Sequence, residues 1–371
     1  MKDNRELKQK EILDSLSAPP HGIYLISPRF GKSRLAISII KKFKLKKVLW
    51  VTPSVKLRDE DIPQEFSKWK VSTYLKGTDI ICYSSMSEHK GNYDIVILDE
   101  VQTITDNNSL PLFNGNIKYK TILGLTGTMP KHEEKLVLLR KLKLNVLLDI
   151  SIDDAVADNM VADYRIKVLE VPLNYTDKNI VAGTKAKPFK TTEGANYDYL
   201  SKQVAKMMFV TDKKRLQFAI LNRLRFIYKS PTKLETAKKL IKHLNGRKLV
   251  FTGSIDHAEL ISPYTYHSKT NQDHLNLFLQ EKIDLLACVN AGGTGFTYKN
   301  VDHFIIVQAD SNKSGGFIQK LARSLLLQKD YVASIWIISL QGTQDEVWVT
   351  NALQELDQSK IEYINIKNLK L

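Results

Sequence analysis

The sequence predicts an α/β protein with two lobes, each built on a parallel β-sheet. Three observations lead there. Short runs rich in Ile, Val and Leu alternate with longer stretches of helical spacing, the pattern of an open α/β sheet. Those runs lack strict polar alternation, as strands covered on both faces do. The pattern also occurs twice along the chain, with a region of different character between the two occurrences.

In the first lobe the expected strands are GIYLIS (22–27), KVLWVTP (47–53), TDIICYSS (78–85), DIVILDE (94–100) and TILGLTGT (121–128). The segment KSRLAISIIKKFK (32–44) has helical spacing. RIKVLEVPL (165–173) reads as a strand, and the polar, basic stretch 174–196 after it shows no apolar periodicity, so it is expected to be a long loop or mobile arm. Helical patterns follow over 197–244, and KLVFTGS (248–254), DLLACVNA (284–291), HFIIVQAD (303–310) and ASIWIISL (333–340) supply the strands of the second lobe. The expected domains are 1–150 and 151–371, the second including the arm and the helical region.

Composition narrows the function classes. The 371 residues carry a formal charge of +15, which points to a polyanionic partner, and 43% apolar content is enough for real cores. No run reaches the roughly 18 uninterrupted apolar residues of a membrane span, and the charged start MKDNRELKQKE lacks the apolar run of a secretory signal. Cys82 and Cys288 lie in apolar strand-like runs, as reduced core thiols of a cytoplasmic protein do, and offer no basis for a structural zinc site.

Two local motifs carry chemistry. Strand, SPRFGKS (27–33) and helix follow one another, so a turn ending in Gly-Lys-Ser aims backbone N–H groups at phosphate oxygens. Gly31 allows close backbone approach, Lys32 reaches the outer phosphates, and the Ser33 hydroxyl ligates Mg²⁺. Arg29, Phe30 and Arg34 complete the expected nucleotide contacts, while Ile26 replaces the first glycine of the full phosphate-loop pattern. DIVILDEVQ (94–102) places two carboxylates at the end of a buried strand, where open α/β sheets hold their chemistry. Asp99 is expected to hold Mg²⁺ through water, Glu100 to orient and deprotonate an attacking water, and Gln102 to contact the γ-phosphate or the other lobe. The 67 residues from Lys32 to Asp99 suit one α/β lobe with two strands between, so the pair points to a nucleotide hydrolase.

In this order the motifs resemble those of superfamily 2 helicases and translocases over roughly residues 5 to 355. Gln9 is similar to the adenine-reading glutamine, SPRFGKS to motif I, VTPS (51–54) to motif Ia and ICYSSMS (81–87) to the segment before motif II. DEVQ (99–102) resembles a DExH box, and LTGT (125–128) resembles motif III. ISIDDAVADNMVADYRI (150–166) is similar to the family segment leading into the second lobe. KLVFTGS resembles motif IV, VNAGGTGFTYKNVDHFIIVQAD (289–310) the Swi/Snf-like form of motif V, and FIQKLARSL (317–325) motif VI. GTQDEVW (342–348) is similar to a segment that follows in Swi/Snf-like and phage recombination helicases.

The resemblance implies tandem RecA-like lobes with an ATP cleft between them. It places Gly293 and Gly295 near both ATP and nucleic acid, and Gln319 and Arg323 in catalysis. It puts Thr52, Pro53, Ser54, Thr126, Thr128, Thr252, Ser254 and Thr294 near the nucleic acid, with Thr126 and Thr128 linking hydrolysis to lobe movement. Leu326 stands where motif VI has its last arginine and Ala322 where it has glycine, leaving Arg323 as the arginine finger. The implied activity is an ATP- and Mg²⁺-dependent motor on DNA, single-stranded, forked or branched, acting as a monomer in replication, recombination or repair, with a phage source suggested by its small size. The alternatives are an RNA helicase and a nucleic-acid binder with a degenerate ATPase.

Overall fold

The structure, a computed structural model, describes residues 4–130, 132–184, 186–210, 212–289, 298–309, 320–321, 324–326 and 331–366. The chain forms two compact units. The first holds the described residues up to Asp163 with those of the 311–331 stretch, and the second holds the remainder from Tyr164 onward.

The first unit is a six-stranded sheet of β1 (Gly22–Ile26), β2 (Val48–Thr52), β3 (Thr78–Cys82), β4 (Gly91–Asp99), β5 (Ile117–Thr126) and β6 (Val146–Ile150). The order is β3-β2-β4-β5-β1-β6, and every pair is parallel. The expected apolar runs form its centre. β2 is buried along its whole length, and Ile95 to Leu98 of β4 are buried too, as double coverage by helices requires. Parallel pairing puts all the carboxyl ends on one edge, so the segments after β1, β4 and β5 emerge together. Helix α1 (Asn4–Ser15) contacts α2 (Lys32–Lys42), the helix that follows β1.

Three boundaries differ from the sequence expectation. β3 stops at Cys82, and Tyr83–Glu88 winds into a 3₁₀ turn. The short edge strand β6, with Val146 and Leu147 exposed, carries no buried run that would announce it. The first unit also continues past residue 150. Ser151 caps the helix Ile152–Ala157, and Asn4 Nδ2 donates to the Asp158 carbonyl at 2.9 Å, tying this segment back to α1.

The second unit contains β7 (Asp163–Val171), β8 (Ile180–Thr184), β9 (Lys187–Thr191), β10 (Lys248–Thr252), β11 (Thr265–Tyr266), β12 (Leu285–Val289), β13 (His303–Ile306), β14 (Val332–Leu340) and β15 (Ile361–Asn365). Its seven-stranded sheet runs β11-β12-β10-β13-β14-β7-β15. Its core packs Val250, Ala287, Ile305 and Ile338 of the sheet against Ala237 and Leu240 of the helix Pro231–His243.

The stretch 174–196 is not the irregular arm expected of it. β8 and β9 form an antiparallel hairpin, with Val181 opposite Lys190 and Ala182 opposite Phe189, and the helix Glu193–Met208 starts before residue 197. Neither face of this two-stranded ribbon is buried. Selection for an apolar face is therefore absent, and with it the alternation by which sequence reveals a strand.

Candidate functional site

The site grows from the carboxyl edge of the first sheet. After β1 the chain turns through Arg29 (φ 72°) and Gly31 (φ 96°), both left-handed, and enters α2 at Lys32. A left-handed Gly31 is inexpensive because it has no Cβ. A Cβ there would also meet Gln9 Nε2 at 2.8 Å. Buried Gln9 reaches from α1 and donates from Nε2 to the Phe30 carbonyl at 2.7 Å, fixing the loop from behind. No side chain caps α2, so the N–H groups of its first turn are available to an anion.

Lys32 Nζ lies 3.0 Å from Glu100 Oε1, with the two side chains only 14% and 20% exposed. Glu100 itself sits just past β4 at φ 51°, a left-handed non-glycine position. Such strain persists where surrounding contacts over-determine it, and here they do. Gln102 Nε2 donates to Glu100 Oε2 at 2.7 Å, and Thr103 Oγ1 donates to the Glu100 carbonyl at 2.8 Å. Gln102 is buried, with its Oε1 2.5 Å from Thr126 Oγ1. The Thr126 hydroxyl also lies 2.7 Å from the Thr128 carbonyl, and it accepts from Thr128 N at 3.1 Å. Motifs after β1, β4 and β5 are thereby joined in one polar chain, Lys32–Glu100–Gln102–Thr126–Thr128.

The electrostatics separate the two carboxylates. Burial, reinforced by the Glu100 charge, pushes Asp99 up to about 6, against the pull of Lys32. Burial pushes Glu100 upward as well, but the Lys32 charge and the hydrogen bonds from Gln102 and Lys32 outweigh it and hold its carboxyl below the usual range. Glu100 is thus the firmly ionised member. Tyr83, buried under the pair, has its phenol pushed well up by burial and by both carboxylates.

The remaining expected residues divide into three groups. Arg34, on α2, pairs with Glu6 at 2.9 Å and lies 3.8 Å over the Trp69 ring; Phe30 is buried and Ser33 partly exposed at the helix start. The residues expected near nucleic acid form the second group. Thr52, Thr126 and Thr252 are buried at strand ends, and Thr252 Oγ1 donates inward to the Ser254 carbonyl at 3.0 Å. Ser54 accepts from Leu57 N and Ser254 caps the helix Ile255–Ile261, so both hydroxyls serve local backbone; Pro53 is exposed and Thr128 partly so. The Ser54, Thr126, Thr252 and Ser254 hydroxyls are all drawn to nearby backbone groups in this way. Gly293, Thr294, Gly295, Gln319 and Arg323 lie outside the described residues.

Sequence reasoning missed three supports. Lys135 Nζ donates to the Gln102 carbonyl at 2.6 Å, and Trp50 and Tyr83 bear on Asp99 from within the core. No local pattern marks Lys135, which is brought in by the helix Glu133–Lys141. Among the described residues no group of three or more His, Cys, Asp or Glu could hold a metal ion. Magnesium bound with nucleotide phosphates needs only one or two protein oxygens, and Ser33 and Asp99 can supply them.

Residues 232–325 match the helicase conserved C-terminal domain. No curated protein sequence matches the chain. Among solved structures, the ATP-dependent Type ISP restriction-modification enzyme LlaBIII bound to DNA is similar at 14% identity and a TM-score of 0.59, over 100% of this chain and 32% of that one. This chain therefore spans about a third of that enzyme's length. The Pyrococcus furiosus Hef helicase domain is similar at 13% identity and a TM-score of 0.53, over 95% of this chain and all of that one. At such identities the likeness is one of fold. The fold is α/β with two parallel-strand sheets, consistent with tandem RecA-like lobes. The domain match is confined to residues 232–325 and is to a helicase C-terminal domain. Among the described residues no helix is long and apolar enough to cross a membrane.

Proposed function

We propose that the protein is an ATP- and Mg²⁺-dependent motor on DNA that translocates along single strands or processes forked and branched DNA. The observation that carries this reading is the polar chain from Lys32 through Glu100 and Gln102 to Thr126, built at the carboxyl edge of a parallel sheet beside an uncapped helix start. Its parts suit phosphoryl transfer to water. The first turn of α2 and Lys32 bind phosphate oxygens, and Gln9 braces the loop that carries them. Ser33 and Asp99 would hold a magnesium ion, which would supply charge neutralisation at the phosphates. Glu100, held ionised, accepts the proton of the attacking water. Gln102, hydrogen-bonded to Glu100 on one side and to Thr126 on the other, ties the state of the base to the segment after β5. Arg323 is assigned the arginine finger by resemblance alone. The formal charge of +15 favours a polyanionic track, and the similar restriction-modification enzyme is described as bound to DNA.

The test is ATP hydrolysis without nucleic acid and with single-stranded DNA, duplex DNA, forked DNA and RNA, beside the Glu100→Gln protein. Strong stimulation by forked or single-stranded DNA, lost in the variant while ATP still binds, is expected. Stimulation by RNA alone would replace the DNA motor with an RNA helicase. Turnover surviving in Glu100→Gln would remove Glu100 as the base. Salt-sensitive DNA binding without any hydrolysis would make this a binding protein with a degenerate ATPase.

A further inference from the structure

Among the described residues, the second unit carries a helical pair anchored at one end. The helices Glu193–Met208 and Lys213–Tyr228 have 16 residues each, about 24 Å of length. At the base, Tyr197 and Ile227 pack with Leu173 and Leu340, and the Tyr197 hydroxyl accepts from Gln344 N at 2.7 Å. Arg223 Nη2 donates to Gln344 Oε1 at 3.1 Å, and Ser230 and Thr232 donate to the buried Glu193 carboxylate. Farther out, Val204 is the one buried side chain among the described residues 198–226. A helix pair held this firmly at the base and left uncovered beyond it presents a surface rather than a core.

That surface has a definite chemistry. A groove of about 580 Å³ runs between the helices, lined among others by Tyr199, Leu200, Met207, Lys214, Arg215 and Phe218. Tyr199 is 59% exposed and Phe218 62%, and Phe209 at the turn is 92% exposed. Residues 197–229 hold eight Lys or Arg against two Asp or Glu. Arg215 meets Asp212 at 3.2 Å in an exposed pair, a weak restraint on its guanidinium. Exposed aromatic faces set among cations are what a single strand needs, because every base has a π-face to stack and every link a phosphate. An apolar protein helix would fill the groove but leave the excess positive charge without a complement.

We propose that the groove between these two helices binds the unstacked bases of single-stranded DNA, with Tyr199 and Phe218 as stacking faces and Lys214 and Arg215 on the phosphates. The choice of DNA rests on the proposed function. Duplex DNA hides its base faces, so the groove discriminates single from double strands by accessibility, without reading sequence.

The test is fluorescence anisotropy of the full chain, without ATP, on a fluorescein-labelled dT 20-mer, the rU 20-mer and a 20-base-pair duplex. Tyr199→Ala/Phe218→Ala should weaken dT 20-mer binding about 100-fold and duplex binding little. Its unfolding midpoint should stay at the wild-type value, since both rings are exposed. Lys214→Ala should lower the slope of log affinity against log salt by about 0.7. Unchanged dT 20-mer affinity in the double variant overturns the proposal, whether or not sedimentation shows that self-association has been lost. A loss confined to the rU 20-mer overturns it as well. Survival of turnover in Glu100→Gln, with the groove variants behaving as expected, would sink the hydrolysis site and leave the groove standing.

Discussion

Replacing Asp99 with Asn should make the protein more stable while abolishing magnesium-dependent turnover. Asp99 is buried, and its carboxyl is pushed from an ordinary 3.8 up to about 6, by burial first and by Glu100 second. The sign follows from proton linkage. Between those two values the folded state binds more protons than the unfolded chain, so stability falls as pH rises through this window and the whole penalty is present above pH 6. A shift of about two pH units corresponds to about 3 kcal/mol. A gain of about 1–3 kcal/mol at pH 8 is expected, or roughly 3–10 °C in the unfolding midpoint of a unit of this size. At pH 5 the folded carboxylate is largely protonated and the gain should shrink to about half. The assay is scanning calorimetry of both proteins in chelator at pH 8 and pH 5, with ATP hydrolysis measured in parallel. A midpoint that falls at pH 8, or a gain as large at pH 5 as at pH 8, would refute the argument that Asp99 is a carboxylate held against the preference of its surroundings. Functional sites commonly carry such a stability penalty.

Other substitutions test the supporting contacts. Gln102→Leu removes the bridge between Glu100 and Thr126, taking one donor from Glu100 Oε2 and one acceptor from the Thr126 hydroxyl, so a loss of about 1–2 kcal/mol in urea unfolding and a sharp drop in ATP turnover are expected. Gly31→Ala forces a side chain into a left-handed position 2.8 Å from Gln9 Nε2; equilibrium binding of a fluorescent ATP analogue should weaken at least tenfold, the equivalent of about 1.4 kcal/mol. Lys233 and Asp345 form a fully buried pair at 2.6 Å in the second unit. Lys233→Met alone should cost about 3–5 kcal/mol in chemical denaturation, and Lys233→Met/Asp345→Leu should recover most of it. Thr105→Ala breaks a capping box with Asn108 and should lower stability by about 1 kcal/mol.

Much of the site is legible from local pattern. An apolar strand leading into Gly31-Lys32-Ser33, and another ending in Asp99-Glu100, specify where polar side chains gather at the carboxyl edge of the sheet, because buried parallel strands leave few other places for them. The strand-end hydroxyls are not legible in the same way. Thr52, Thr126 and Thr252 occur in motif-like strings, yet a side chain at the end of a buried strand faces inward or outward by a single step of the pleat, which a short string does not reveal. The β8–β9 hairpin reads as a loop because a ribbon without a buried face carries no apolar alternation.

Sequence by itself determined the α/β class, the two lobes and the approximate position of nearly every central strand, since double-sided burial leaves a continuous apolar record in the chain. It also marked Gly31-Lys32-Ser33 and Asp99-Glu100 as polar groups that end or follow buried strands. Only the tertiary structure decided that β1 lies between β5 and β6, so that the loop after β1 meets the ends of β4 and β5. It alone made Glu100 the partner of Lys32, and brought Lys135 to Gln102 and Tyr83 under the carboxylates. These contacts join residues tens of positions apart, and their energies depend on burial and distance, which only the assembled sheet sets.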